Sequence, residues 1–215
     1  MMKFLSISTL IALFITGCSF ATPHDAWRYK STNSFSSYQE NFLSDNDVLA
    51  KNDLQRAVKS AKKSAQLEQL ASIYLGKCAL NISVGIDDKC QEYTELRELV
   101  EDKGLDSYYH LLVLEFQDMD PLELPQEYRE FALELKQGNS KDAADEVMKI
   151  EKITSMLVAA SLISDFLSHD DKKTLLDKAS EYGYKKSVVF WLKQMKKTAP
   201  KNDRRLIEKR LEILK

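Results

Sequence analysis

Beyond Asp47, apolar residues recur three and four positions apart along almost the whole chain, the spacing that places one face of a helix against a core. Leu54, Ala57, Val58, Ala61 and Ala65 form one such stripe, and Leu67, Leu70, Ala71, Tyr74 and Cys78 form the next, with Ser64 as a cap between them. That is the pattern of a helical hairpin. Gly85 turns the chain, and Asp88 with Gln91 three residues later resembles a capping box. The helix it starts runs through Cys90, Tyr93, Leu96, Leu99 and Val100, and Gly104 is its expected left-handed stop. Residues 105 to 116 make the next helix, and Pro121 and Pro125 then break the pattern, so 118 to 124 is a possible subdomain boundary.

The pattern resumes at Gln126 with Tyr128, Phe131, Ala132 and Leu135, stops at Gly138, and continues after Ser140 with Ala143, Ala144, Val147 and Ile150. Residues 153 to 167 are nearly all apolar and are expected to be the most buried helix of the C-terminal half. His169, Asp170 and Asp171 follow. They read either as an acid/base or metal cluster or as a helix start with Asp170 as cap, and the second is favoured because aspartate is a preferred cap. Gly183 ends that helix, Val188, Val189, Trp191, Leu192 and Met195 mark another, and Leu206, Ile207, Leu211 and Leu214 follow Pro200 as the last. The sum is about ten short helices in antiparallel pairs of roughly 25 to 35 residues, the spacing of helical solenoid units. The expected fold class is therefore all-α, a short stack of helix pairs or a plain bundle.

Composition supports this. The chain has 215 residues, 44% of them hydrophobic and 30% charged, with only 6 Gly and 4 Pro, too few turn residues for a sandwich of many tight hairpins. The formal charge of -2 exerts no global pull toward nucleic acid, and no nucleic-acid partner is expected. The charge is unevenly placed, however. Residues 87 to 151 carry 19 acidic and 7 basic side chains, net -12, whereas 184 to 215 carry 11 basic and 3 acidic, net +8. Opposite fields of this kind act as steering surfaces for charged partners, or they are solvated helix faces that partly neutralise each other.

The N-terminus has a different character. Met1-Met2-Lys3 supplies one cation, residues 4 to 15 are apolar apart from Ser6, Ser8 and Thr9, and small Thr16 and Gly17 precede Cys18. This order resembles the signal of bacterial lipoproteins, a charged region, a short apolar run and a small-residue cleavage site ending at a cysteine. The apolar run is too short for a transmembrane helix, which needs roughly 20 residues. The resemblance implies removal of residues 1–17, a diacylglycerol on the Cys18 sulfur and a further acyl chain, usually palmitate, on its amino group. With Ser19 rather than aspartate next, it also implies anchoring at the outer membrane, facing the periplasm. Two or three acyl chains hold a protein firmly at a bilayer. Residues 18–47 then read as a lipid-anchored tether. It carries Phe20, Trp27, Tyr29, Phe35, Tyr38 and Phe42, so it either docks on its own helical body, residues 48–215, or binds something else.

With Cys18 acylated, Cys78 and Cys90 remain as one pair, which an oxidising periplasm favours joining as a structural disulfide. A metal site is the sharper alternative, but no histidine is near and the spacing fits no zinc pattern. Short segments also resemble tetratricopeptide or Sel1-like repeats. These are residues 70 to 76 (Leu-Ala-Ser-Ile-Tyr-Leu-Gly), Gly138 followed by Ala143, and residues 179 to 183 followed by Val188. The aromatic, glycine and proline positions of a full repeat do not recur at a fixed interval. The resemblance implies a stack whose concave face holds a partner.

Catalytic motifs are absent. The chain has three histidines, His24, His110 and His169, and no Gly-rich phosphate loop, nucleophile elbow or paired-histidine zinc helix. Glu92, Glu95 and Glu98 share a spacing that suits a solvated stripe, and Tyr108-Tyr109-His110 either line a pocket or pack beside Leu111 and Leu112. The expectation is a non-enzymatic protein without cofactor or metal, a protein-protein interaction module in an envelope assembly. An envelope hydrolase built on His110 or His169, or a small-ligand carrier, are the alternatives.

Overall fold

The computed structural model describes residues 25–215, and every regular element in it is helical. Eleven α-helices are present among the described residues. The first is α1 (Ala26–Leu43), followed by α2 (Asp47–Ala61), α3 (Glu68–Ser83), the single turn α4 (Gln91–Thr94) and α5 (Lys103–Leu112). Then come α6 (Arg129–Lys136), α7 (Ser140–Val147), α8 (Ile153–Leu162), α9 (His169–Glu181), α10 (Lys185–Thr198) and α11 (Lys201–Ile213). Short 3-10 turns at Arg97–Leu99, Pro121–Glu123 and Gln126–Tyr128 connect them. Cys18 and His24, with the whole leader, lie outside the described residues.

Helix pairs dominate the packing. The hairpins α1–α2, α6–α7 and α9–α10 are the most extensive sequential contacts, and α3 lies against α8 from the other half of the chain. The all-α class expected from periodicity is what the chain adopts. The α3–α8 and α1–α10 contacts join segments far apart in sequence, so the pairs close on one another as well as on their neighbours. Helix α8 is the centre: every residue from Ile153 to Ala160 is buried. It is apolar almost all round because other helices cover it all round. The largest cluster of buried side chains runs from Tyr38 and Leu43 through Leu111, Met119 and Tyr128 to Trp191 and Ile207. It crosses 118–124 without interruption.

The segment read as a tether is, from Ala26, an 18-residue helix. Tyr38, Phe42 and Leu43 enter the main core, and the Phe35 ring packs directly on the backbone of α3 at Gly76, where any Cβ would collide with it. Phe35, Tyr38 and Phe42 thus dock on the protein's own helices, whereas Tyr29 stays 70% exposed and Phe20 lies outside the described residues. Ser31 donates to the Ala57 carbonyl at 3.1 Å, and Tyr184 donates to Glu40 at 2.8 Å, which fixes α1 to both α2 and the start of α10.

Three local expectations are corrected. Gly104 is no helix stop: it sits in the first turn of α5, and Asp102 accepts a hydrogen bond from the Leu105 amide at 3.0 Å. The left-handed stop belongs to Leu114 (φ 64°), so α5 ends at Leu112. Ser168 rather than Asp170 caps α9, in a reciprocal capping box with Asp171. Finally, Asp88 makes no capping box with Gln91. It receives the Cys90 amide at 2.8 Å and Asn81 Nδ2 at 2.7 Å, and this shapes the turn before α4. Gly138 and Gly183 do take the left-handed conformation that ends α6 and α9.

Cys78 on α3 and Cys90 are joined as a disulfide, with Cα atoms 5.2 Å apart and both side chains buried. The bridge encloses the 78–90 turn. No described helix is long and apolar enough to cross a membrane.

Candidate functional site

The two charge-biased segments build two different surfaces. The acidic one begins at α5, where residues 106 and 110 fall on one face because they are four apart on a helix. Asp106 accepts from Arg97 Nε at 2.6 Å, and Arg97 Nη2 lies 2.7 Å from His110 Nε2. A guanidinium has only donors, so Nε2 accepts. The ring hydrogen is then on Nδ1, which donates to Glu115 at 3.0 Å. Leu114, in its left-handed conformation, is what turns Glu115 back toward the ring. The Asp106 hydrogen bond raises the Arg97 pKa further above its ordinary value, and the guanidinium also lies 5.0 Å from the centre of the Tyr109 ring. Tyr109 in turn contacts Tyr93, and His110 is 5% exposed.

His110, Glu115 and Asp118 each offer a ligand atom within 4.8 Å of the others. The tautomer set by Arg97 places a proton on Nδ1, where a metal would need a lone pair. The residues present do not suit a cation as arranged. Nor does the cluster present a base to a substrate, because both ring nitrogens are engaged within the wall. Beside it lies an open recess of about 860 Å³, lined by acidic residues including Glu98, Glu101 and Glu123 but not by His110. Several of its carboxylates serve local structure: Asp102 caps α5, and Asp120 accepts the Leu122 amide at 3.0 Å. Glu92 pairs with Lys77, and Glu95 accepts from Gln91 at 3.2 Å. His169 is exposed at the start of α9, where Asp171 is committed to the capping box.

The basic segment is organised otherwise. On α10 the positions 185, 189, 193 and 196 share one face, as helical spacing requires. The opposite face, with Ser187, Trp191 and Gln194, is buried. Pro200 turns the chain so that α11 runs back beside α10, and between them and the 84–86 turn lies a groove of about 700 Å³. Its floor is apolar, formed by Val84, Ile86, Val189, Phe190, Leu211 and Leu214. Gly85 makes the close approach possible: its φ is +78°, and a Cβ there would lie 2.8 Å from the Phe190 ring. Ile86 remains 47% exposed at the groove's edge, which is apolar area that nothing in the described chain covers.

Lysines surround this floor. Lys185 pairs with Asp45 at 2.8 Å, Lys186 pairs with Asp47 and lies 4.2 Å from the centre of the Phe42 ring, and Lys196 pairs with Glu208 at 2.9 Å. Lys193, in the middle of the rim and exposed, has no ion-pair partner among the described residues. Counting side chains, the lining holds five lysines against Asp45, Glu208 and Glu212, a surplus of two positive charges. The groove was not among the sites expected from sequence. Its residues come from four separated segments, and the only early signal was the +8 balance of 184 to 215.

No family profile, curated protein or solved structure matches this chain.

Proposed function

We propose that this protein is a lipid-anchored lipoprotein of the outer membrane, facing the periplasm, whose helical body docks a partner protein of an envelope assembly. The observation that carries the docking role is the α10–α11 groove, an apolar floor with a cationic rim left open beside an otherwise well covered core. Its volume of about 700 Å³ would also fit a small molecule, but it is open to solvent rather than enclosed, which suits the side chains of a docked polypeptide. The location is supported by the order of residues 1–18 and by the Cys78–Cys90 bridge, since disulfides persist in oxidising compartments. A hydrolase reading would rest on His110, whose nitrogens are engaged by Arg97 and Glu115.

Two measurements on the full chain, made in the cell that naturally produces it, test this. Mass spectrometry of the mature N-terminus is expected to find Cys18 first and acylated, and Cys18→Ser is expected to release the protein from the membrane fraction. Sedimentation of the detergent-solubilised protein from its native envelope is expected to show a complex larger than the monomer that Val189→Asp dissolves. An unmodified Cys18 would overturn the anchor, and a monomer in both cases would overturn the docking role.

A further inference from the structure

The groove also specifies the kind of polypeptide it takes. Resting on the docking role above, we propose that it receives one amphipathic α-helix of a partner protein, with acidic side chains flanking its apolar stripe. A helix is required by the backbone. Every regular element of the described chain is helical, so no strand edge is available to pair with an extended peptide. An extended segment would lay unpaired amides and carbonyls over an apolar floor, at a cost of about 1 to 3 kcal/mol for each group left without a partner. A helix satisfies its own backbone and presents only side chains. Two side-by-side helices, α10 and α11, also form the trough into which a third packs. From Lys185 to Lys196 the trough extends 11 residues, about 17 Å along α10, which accommodates about three turns of a partner helix. Anchors at i, i+3 or i+4, and i+7 would meet Val189, Phe190 and Leu211.

The acidic character follows from the rim. Three of its lysines already have carboxylate partners within the chain, whereas Lys193 lies between them without one. A carboxylate on the partner at that point adds an ion pair and removes none. The same surface would attract anionic lipid, but a trough about three helical turns long with an apolar floor between two helices is the shape of a helix-docking site, and vesicles are one arm of the test.

The test uses the full chain carrying Cys18→Ser, with its disulfide formed, and two synthetic helical peptides that share one leucine stripe and differ only in flanks of glutamate or lysine. Fluorescence anisotropy is expected to show the glutamate peptide binding at least about tenfold tighter at low salt, with the preference shrinking as salt rises. Lys193→Glu, an exposed substitution, is expected to remove most of that preference. Val189→Asp is expected to weaken both peptides about tenfold or more with an unchanged thermal midpoint. Equal affinity for the two peptides, or binding of neither, sinks the acidic-helix inference. So does preferential binding to phosphatidylglycerol vesicles, or self-association that Lys193→Glu abolishes. None of these results bears on Cys18 acylation or on the native complex, which the earlier measurements decide separately.

Discussion

The wall around His110 and the groove around Phe190 are both charged, yet the charges do opposite things. In the wall, Arg97 bridges Asp106 and His110, Glu115 closes the far side of the imidazole, and a disulfide staples the adjoining turn. Each charge in that network has a partner beside it, although Arg97, Asp106 and Glu115 remain partly exposed. In the groove, lysines stand over apolar side chains, and Lys193 faces outward unpaired among the described residues. Net charge by sequence segment marks both regions, -12 for 87 to 151 and +8 for 184 to 215, and so by itself identifies neither as a site. Exposed apolar side chains occur near both, Leu99 and Leu122 by the wall and Ile86 at the groove. What separates them is that the groove sets lysines over an apolar floor, whereas the recess beside the wall is lined mostly by carboxylates, and an apolar recess with a charged rim is the form of an interaction site.

If the wall is structural, removing its staple should reduce stability and leave the groove intact. Replacing both Cys78 and Cys90 by serine is expected to lower unfolding free energy by about 3 kcal/mol, the entropy of closing a loop of this length, as read by urea denaturation. Affinity for the acidic peptide should not change at temperatures where the variant is folded. The groove's own geometry is probed by Gly85→Ala. A side chain at φ +78° and 2.8 Å from Phe190 is expected to cost about 2 kcal/mol, and here peptide affinity should fall as well.

The core shared by both regions responds to alkali. Burial pushes the Tyr128 hydroxyl up to about 12 from an ordinary value of 10.0, within a contact of 3.4 Å to Tyr108. Between those values the unfolded chain has lost a proton that the folded chain keeps. Stability is therefore full below pH 10 and falls as pH rises toward 12, by about 1.4 kcal/mol for each pH unit per such tyrosine. Tyr128→Phe is expected to flatten that decline in denaturation curves taken across the window. The smallest effect concerns α10, whose inner face holds Ser187 Oγ, Trp191 Nε1 and Gln194 Oε1 without hydrogen-bond partners. Gln194→Met removes one buried acceptor and is expected to stabilise by about 1 kcal/mol, measured as a rise in thermal midpoint, without altering the groove on the opposite face.

Helix existence was legible in most long stripes but not in Cys90 to Val100, which forms only the single turn α4 and a 3-10 turn at Arg97–Leu99 instead of one helix. The 67–78 and 153–167 stripes became α3 and α8, the latter ending at Leu162 and not reaching 167, and Gly138 and Gly183 marked true ends. Boundaries failed where a side-chain cap competed with a glycine. Asp102 started α5 at the residue pair that looked like a stop, and a leucine at 114 took the left-handed role that propensity assigns to glycine. The 26–43 helix was missed because its polar Ser, Thr and Asn residues suppress intrinsic helicity. Tertiary packing of Phe35, Tyr38 and Phe42 outweighs that, a gain no local pattern displays. The cysteine pairing was legible because only two cysteines remain after Cys18. The Arg97–His110–Glu115 network and the groove were not, since the first depends on one unusual backbone angle and the second on α11 folding back beside residues 84 to 86.

The most direct test places a photoactivatable cross-linking residue at position 193 in one full-length protein and at position 101 in another, in the cell that naturally makes it. Adducts to a second protein from position 193, none from position 101, and loss of the 193 adduct with excess glutamate-flanked peptide are the results expected for a groove that docks a partner. Adducts from position 101 alone, or from neither position, would contradict it.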